Sequence, residues 1–179
     1  MVEASQYLVF GAIEAFITLL SYSFSIPAWE IGIILGAQLI SIVFIKPIMG
    51  TISDKVGRKH VIIPGLIVAG ISVLLLPHVS SAISLTLLSA GFGIGFAATT
   101  SSTSALVADL TKNGAYGSSM GVLRTIMDIG QSIGPILTGW MVVSYGYVPA
   151  FSLLGMILLV TAILFGNVSI TKNDKQNTL

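Results

Sequence analysis

Six long apolar runs, separated by short polar breaks, cover nearly the whole chain. A helix needs about 20 mostly apolar residues, at 1.5 Å each, to cross a hydrocarbon core of roughly 30 Å. Helices are favoured over strands, because an open strand in lipid leaves its backbone polar groups unpaired. The pattern predicts an all-α membrane bundle over residues 1–170 and a polar cytoplasmic tail over 171–179. The predicted spans are 7–25, 31–52, 61–76, 82–108, 118–143 and 148–170.

The composition supports this interpretation. The chain is 54 % hydrophobic and 8 % charged, whereas soluble domains carry about 25 % charged residues. No basic stripe with interleaved aromatic residues points to nucleic acid. The sequence has no cysteine, which excludes disulfides and thiolate catalysis. We therefore expect a multi-pass integral membrane protein that contacts lipid and binds no nucleic acid.

The lysines and arginines outside the predicted spans all fall on one side of the membrane. Positive residues concentrate in cytoplasmic loops, so this bias predicts that both termini are cytoplasmic. The cell (plasma) membrane is the expected location. The six residues are Lys55, Arg58, Lys59, Lys112, Lys172 and Lys175.

One loop, GTISDKVGRKH at residues 50–60, concentrates charge between two apolar runs. Gly57 permits a positive φ, so the chain can reverse tightly there. We expect Gly50 to let a neighbouring helix approach closely. Asp54 and Arg58 lie four residues apart across the turn, so they can pair. The plainer alternative is that these charges only anchor the loop at the lipid headgroups.

The pattern G-x-x-x-D-K-x-G-R-K at residues 50–59 resembles the signature between the second and third helices of each half of the major facilitator superfamily. The resemblance implies a six-helix half of that fold, built as a 3+3 inverted repeat. It also implies a cytoplasmic latch, in which the Asp and Arg of the loop form a charge relay with an acid ending the fourth helix. The latch residues would be Gly50, Asp54, Gly57, Arg58, Lys59 and Asp109.

The fifth helix begins with Arg124-x-x-x-Asp128, and the glycine-rich fourth helix lacks an arginine. Both features are more like the C-terminal half of the family, so the resemblance implies helices seven to twelve. Members of the family transport by rocking two halves about a site near the midplane. We therefore expect an N-terminal half as partner, a homodimer, or a chain that is a fragment.

Four ionisable side chains fall within the predicted spans. An unpaired charge at the bilayer centre costs about 2.5–3.5 kcal/mol on insertion scales, so each should face protein or water. Lys46, Arg124 and Asp128 are expected to form an intramembrane charge network, either structural or functional. Glu14 has no basic neighbour on its own helix, and a buried carboxyl that is charged or neutral near pH 7 suits proton coupling. The proton or substrate candidates are Glu14, Gln38, Asp128 and Gln131.

Enzyme function is not expected. The two histidines, His60 and His78, fall on opposite sides of the predicted membrane and cannot share a metal site or triad. We expect no metal and no cofactor. The resemblance implies half of a secondary active transporter, which moves a small solute by alternating access in proton-coupled efflux or antiport. The alternative is a non-transporting membrane scaffold or a regulatory half-transporter fragment.

Overall fold

The computed structural model describes residues 1–111 and 116–176, and nearly all of them are helical. The six helices are α1 (Val2–Ser23), α2 (Ala28–Val56), α3 (Arg58–Leu75), α4 (Ala82–Leu110), α5 (Tyr116–Tyr145) and α6 (Tyr147–Gln176). Each is long and apolar enough to cross a membrane. The prediction of an all-α bundle with six transmembrane helices is therefore confirmed. Lys112 and the last residues of the predicted tail, 177–179, lie outside the described residues.

The connections are short, and local chemistry explains where helices end. α2 ends at Gly57, whose φ is +98°, and the Gly57 N–H donates to the Ser53 carbonyl oxygen at 3.1 Å. α5 ends in the same way at Gly146, whose φ is +87°. Glycine adopts such left-handed backbone angles without steric cost, so both chain reversals need only one residue. α6 continues to Gln176 because no Pro or Gly follows Gly166 to stop it.

Several helices extend beyond the predicted spans, and two of these differences add polar residues at the start of a helix. α1 begins at Val2 rather than near residue 7, so Glu3 and Gln6 belong to the helix. α3 begins at Arg58, directly after the turn at Gly57. In both cases the helix begins with polar residues that precede its apolar run. Amphipathic and charged residues can continue a helix beyond the lipid core, so hydropathy marks the span and not the helix end.

The main helix contacts follow the symmetry of a three-helix repeat. When α1, α2 and α3 are matched with α4, α5 and α6, the α1–α5 contact corresponds to the α4–α2 contact. α1 packs along α5, and α2 packs along α4, while α3 contacts both α4 and α6. This pairing agrees with half of a major facilitator fold built from two three-helix repeats. The buried core lies where α1, α3, α4 and α6 meet. Its largest fully buried side chains include Ile13, Ile17, Leu66, Phe92, Phe151 and Leu158.

Small residues permit the close helix contacts. A methyl group at Gly95 would lie 2.6 Å from the Ala69 nitrogen, and one at Gly155 would lie 2.8 Å from the Gly70 carbonyl oxygen. At Gly134 a methyl group would overlap the Leu8 carbonyl oxygen on α1. Helices in lipid associate through such close packing because no hydrophobic force drives them together. α5 is thereby held against α1, which places the polar side chains of the two helices side by side.

Candidate functional site

The Arg58 guanidinium joins three helix ends. Its Nε and Nη2 donate to the same oxygen, Oδ2 of Asp109, at 3.1 and 3.0 Å. Its Nη1 forms an ion pair with Asp54 and donates to the Ser53 hydroxyl at 2.8 Å. The end of α2, the start of α3 and the end of α4 are therefore held together by one side chain. We call Ser53, Asp54, Arg58 and Asp109 the Arg58 cluster, and the end of the bundle that carries it the Arg58 end.

The Arg58 cluster lies at one end of the bundle, where the arginine side chain is mostly buried and the two acidic side chains are exposed. The Arg58 side chain is 17 % exposed, whereas those of Asp54 and Asp109 are 60 % and 50 % exposed. A guanidinium presents its donors in a rigid fork, which suits binding of several acceptors at once. The loop charges and the acid at the end of α4 are thus in contact, as a charge relay requires.

Ser53 is a member of the cluster that the sequence motif did not indicate. Its side chain is almost fully buried, and its hydroxyl donates to the Gly50 carbonyl oxygen at 2.9 Å while it accepts from Arg58. The hydroxyl therefore links the guanidinium to the last turn of α2. A serine one residue before the aspartate of the loop motif carries no signal of its own, because serine is common near helix ends for other reasons.

The expectation for Gly50 is not met. Among the described residues, nothing lies within 4 Å of a methyl group placed at Gly50, so no helix of this chain approaches closely there. The Cβ position of Gly50 therefore points into open space within this bundle. Lys59 occupies the first turn of α3 beside Arg58.

Glu14 and Gln131 meet across the α1–α5 contact. The Gln131 Nε2 donates to the Glu14 Oε2 at 3.3 Å, and Glu14 is exposed on the surface of this bundle. The close approach of the two helices at Gly11, whose Cβ position would overlap the Gln131 carbonyl oxygen, brings these side chains together. Two of the four sequence-predicted candidates for proton or substrate binding are therefore in direct contact.

Asp128 is exposed on α5, one turn before Gln131, and it lines a shallow groove with Thr125, Ile129, Ser132 and Ile133. Gln38 lies elsewhere. It is 1 % exposed, on the face of α2 that packs against Gly93 of α4, and its side-chain oxygen has no hydrogen-bond partner in the part of the chain that the structure describes. Three of the four candidates thus share one region, and Gln38 is enclosed between α2 and α4.

The charged residues Lys46, Arg124 and Asp128 are all exposed in this bundle. Within residues 1–111 and 116–176, no ion pair joins any two of them. Arg124 and Asp128 share a face of α5, and both lie within electrostatic range of the Tyr7 hydroxyl on α1. We call the open region that carries Glu14, Gln131, Arg124 and Asp128 the α1–α5 face, while Lys46 lies on α2.

Six helices that are long and apolar enough to cross a membrane define a multi-pass integral membrane protein, with a cluster of charges at one end of the bundle. The family comparison agrees with this class. The sequence model of the Major Facilitator Superfamily matches residues 2–178, which is nearly the entire chain. The chain belongs to the major facilitator superfamily.

Curated relatives are similar over about three quarters of this chain. An uncharacterized MFS-type transporter of Methanocaldococcus jannaschii is 27 % identical over 75 % of the chain and 35 % of its own length. The synaptic vesicular amine transporter of Mus musculus is 28 % identical over 75 % of the chain and 26 % of its own length. The multi-drug resistance efflux pump PmrA of Streptococcus pneumoniae is 31 % identical over 76 % and 34 %. The matched part of the chain thus spans about a quarter to a third of the length of these relatives.

Proposed function

We propose that this chain forms one wall of a secondary active transporter that exports a small solute in exchange for protons. The observation that carries the proposal is the contact between Glu14 and Gln131, beside the exposed Asp128. Intramembrane carboxyls are costly, so those that remain open to a partner or to water indicate a functional pathway. Two of the similar proteins, an efflux pump and an amine transporter, support the same class of activity.

Glu14 is the group to which we assign proton exchange. In the charged form its carboxylate accepts the hydrogen bond from Gln131, and in the protonated form it can donate one instead. The change of charge on the α1–α5 face alters which partner or solute that face binds. Asp128 and Arg124 then serve as further contacts in the same cavity, with Lys46 approaching from α2.

The Arg58 cluster is proposed to act as the latch of the Arg58 end, which the charge bias assigns to the cytoplasm. Half-exposed carboxylates of Asp54 and Asp109 leave room for contacts to a second half, while Arg58 keeps the ends of α2, α3 and α4 in register. Forming and breaking such outward contacts would close and open one side of the pathway.

Alternating access needs a second wall opposite the α1–α5 face. We propose a second six-helix half in this position, supplied by another part of a longer chain, by a separate N-terminal half or by a second copy. Large apolar side chains on the open surfaces of α2 and α5 fit either lipid or such a half. They include Leu39, Val43 and Phe44 on α2 and Ile133, Ile136 and Trp140 on α5.

The test uses everted vesicles from cells that express the protein, with ethidium fluorescence as the transport probe and a series of external pH values. We expect Glu14→Gln to abolish the pH dependence of ethidium movement, because the variant keeps the Gln131 contact but cannot exchange a proton. Glu30→Gln is the matched control, because it makes the same chemical change at a different place. Glu30 lies in the first turn of α2, at the end of the bundle opposite the Arg58 end.

An unchanged pH profile in Glu14→Gln would remove Glu14 from the mechanism. Retention of full function after neutralising both Glu14 and Asp128 would favour the scaffold alternative, which needs no proton site. The amount of each variant protein is measured in the same vesicles, which excludes poor membrane insertion as the cause of lost transport.

A further inference from the structure

A second polar group lies buried at the Arg58 end of α1. Glu3 is 2 % exposed and Gln6 is 0 % exposed, although both lie near the start of the chain's first helix. Neither carboxyl oxygen of Glu3 and neither amide atom of Gln6 has a hydrogen-bond partner among the described residues. Because these residues are three apart on one helix, their side chains are neighbours.

Among the described residues, no group donates a hydrogen bond to the Glu3 carboxyl. Thr103 of α4 lies near it, but the Thr103 hydroxyl donates to the Thr99 carbonyl oxygen at 2.8 Å. A buried polar atom without a partner costs about 1–3 kcal/mol, and more if it is charged. A protonated carboxyl lowers this cost, because it carries no charge and its O–H can donate to the Gln6 amide oxygen.

The charged and titratable groups near Glu3 come from several elements. Lys46 on α2 and the amino group of Met1 lie within electrostatic range of its carboxyl, as does the Tyr7 hydroxyl on α1. Arg124 and Asp128 of α5 act on the same Tyr7 hydroxyl. Residues 148–167 of α6 contain no ionisable side chain. Lys46 is exposed and forms no ion pair with Glu3 in the described part of the molecule. Its ammonium therefore acts on the Glu3 carboxyl without direct contact.

We propose that Glu3 is a second proton-carrying carboxyl, neutral while it is enclosed between α1 and α4 and ionised when the Lys46 side chain swings in to pair with it. In the ionisation step the O–H bond of the Glu3 carboxyl breaks and the proton passes to water at the Arg58 end. Lys46 keeps its own proton and supplies the opposite charge. The lysine side chain has a long flexible stem, which permits such a movement.

This site differs from the α1–α5 face in position and environment. Glu14 is exposed and hydrogen-bonded to Gln131, whereas Glu3 is sealed and lies more than two helical turns nearer the Arg58 end. The role of Glu3 in transport rests on the proposed function, but its proton binding does not. The experiment therefore measures protonation directly, without transport.

The measurement is an infrared titration of the full protein in lipid, which follows the C=O stretch of protonated carboxyls. A Glu14→Gln/Asp128→Asn background removes the two carboxyls of the open face. In this background we expect a protonated-carboxyl band that Glu3→Gln abolishes and Glu30→Gln leaves unchanged. Lys46→Gln should make the band persist to a pH higher by about one unit or more, because the pairing cation is gone.

Two outcomes would overturn the proposal. A band that survives Glu3→Gln would show that Glu3 does not hold the proton. A band that Glu3→Gln removes but that titrates identically in Lys46→Gln would show that Lys46 does not control it. Lys46 is exposed, so its substitution keeps the test decisive even where Glu3→Gln perturbs folding. Failure of vesicle transport together with a normal titration would contradict the proposed function and leave this inference standing.

Discussion

The Arg58 cluster and the α1–α5 face use charge in opposite ways. At the Arg58 cluster one guanidinium contacts two carboxylates and a buried hydroxyl, and all of these partners belong to this chain. On the α1–α5 face, Arg124 and Asp128 form no ion pair within the described residues, with each other or with Lys46 of α2. The charges of the first region have ion-pair partners within the bundle, and Arg124 and Asp128 of the second have none among the described residues.

The difference indicates which charges stabilise this half and which serve something outside it. Contacts to a charged group contribute about 1.5–3 kcal/mol each when they are enclosed, and much less when water reaches them. Charges that are paired internally should therefore affect the stability of the bundle when they are changed. Charges without an internal partner should affect function and leave stability almost unchanged.

The largest effect on stability is expected for Arg58→Ala. The change removes three donors and leaves Asp54 and Asp109 close together without a cation. We expect the free energy of unfolding to fall by about 1–3 kcal/mol, with the lower end favoured by the exposure of both acids. The measurement is unfolding of the full protein in bicelles, followed by intrinsic fluorescence.

Arg58→Lys is the matched control for this experiment. It keeps the positive charge but cannot bind Asp54, Asp109 and Ser53 at once, so it should recover only part of the loss. Equal stability of Arg58→Ala and the parent protein would show that the cluster does not hold the helix ends together.

Asp54→Asn should have a smaller effect on stability and a large one on transport. The Asp54 side chain is 60 % exposed, so loss of its ion pair is expected to cost less than about 1 kcal/mol. Transport of ethidium in vesicles should nevertheless fall by about tenfold or more, because the outward-facing carboxylate of the latch is neutralised.

The neighbouring Lys55→Gln changes an exposed charge that has no place in the Arg58 cluster, so it serves as the control. Transport by Asp54→Asn at the rate of this control would contradict the assignment of Asp54 to a latch.

The smallest effect on stability is expected for Asp128→Asn. Asp128 is exposed and has no ion-pair partner in the described residues, so the free energy of unfolding should change by less than about 0.5 kcal/mol. The same unfolding assay in bicelles measures it. A loss as large as that of Arg58→Ala would mean that Asp128 is part of a structural network, and the comparison between the two regions would fail.

The fold was accessible from the sequence because the lipid core demands about 20 apolar residues for every crossing. The contact of Asp54, Arg58 and Asp109 was anticipated because the loop motif and the acid at the end of the fourth helix resemble a known latch. Ser53 was missed because its role depends on the rotamer of Arg58, which no pattern in the chain encodes.

The residues that sequence reasoning placed least well are those whose burial depends on helix packing. Glu3 and Gln6 precede the first predicted span, so hydropathy does not indicate their burial, whereas the packing of α1 on α4 encloses them. Gln38 was expected in a cavity, yet it lies enclosed between α2 and α4. Gly50 was expected at a close helix contact, yet it faces open space within this chain. The periodicity of a helix sequence shows which residues share a face, but it does not show which neighbouring helix packs against that face.

The central claim is that this chain forms one wall of a two-walled pathway, and native mass spectrometry tests it most directly. The protein is extracted gently from its own membrane, and the mass of the assembly that contains the 18.7 kDa chain is measured. We expect an assembly with a second six-helix half, which at least doubles this mass. A lone species of 18.7 kDa, in a preparation that retains transport, would contradict the account.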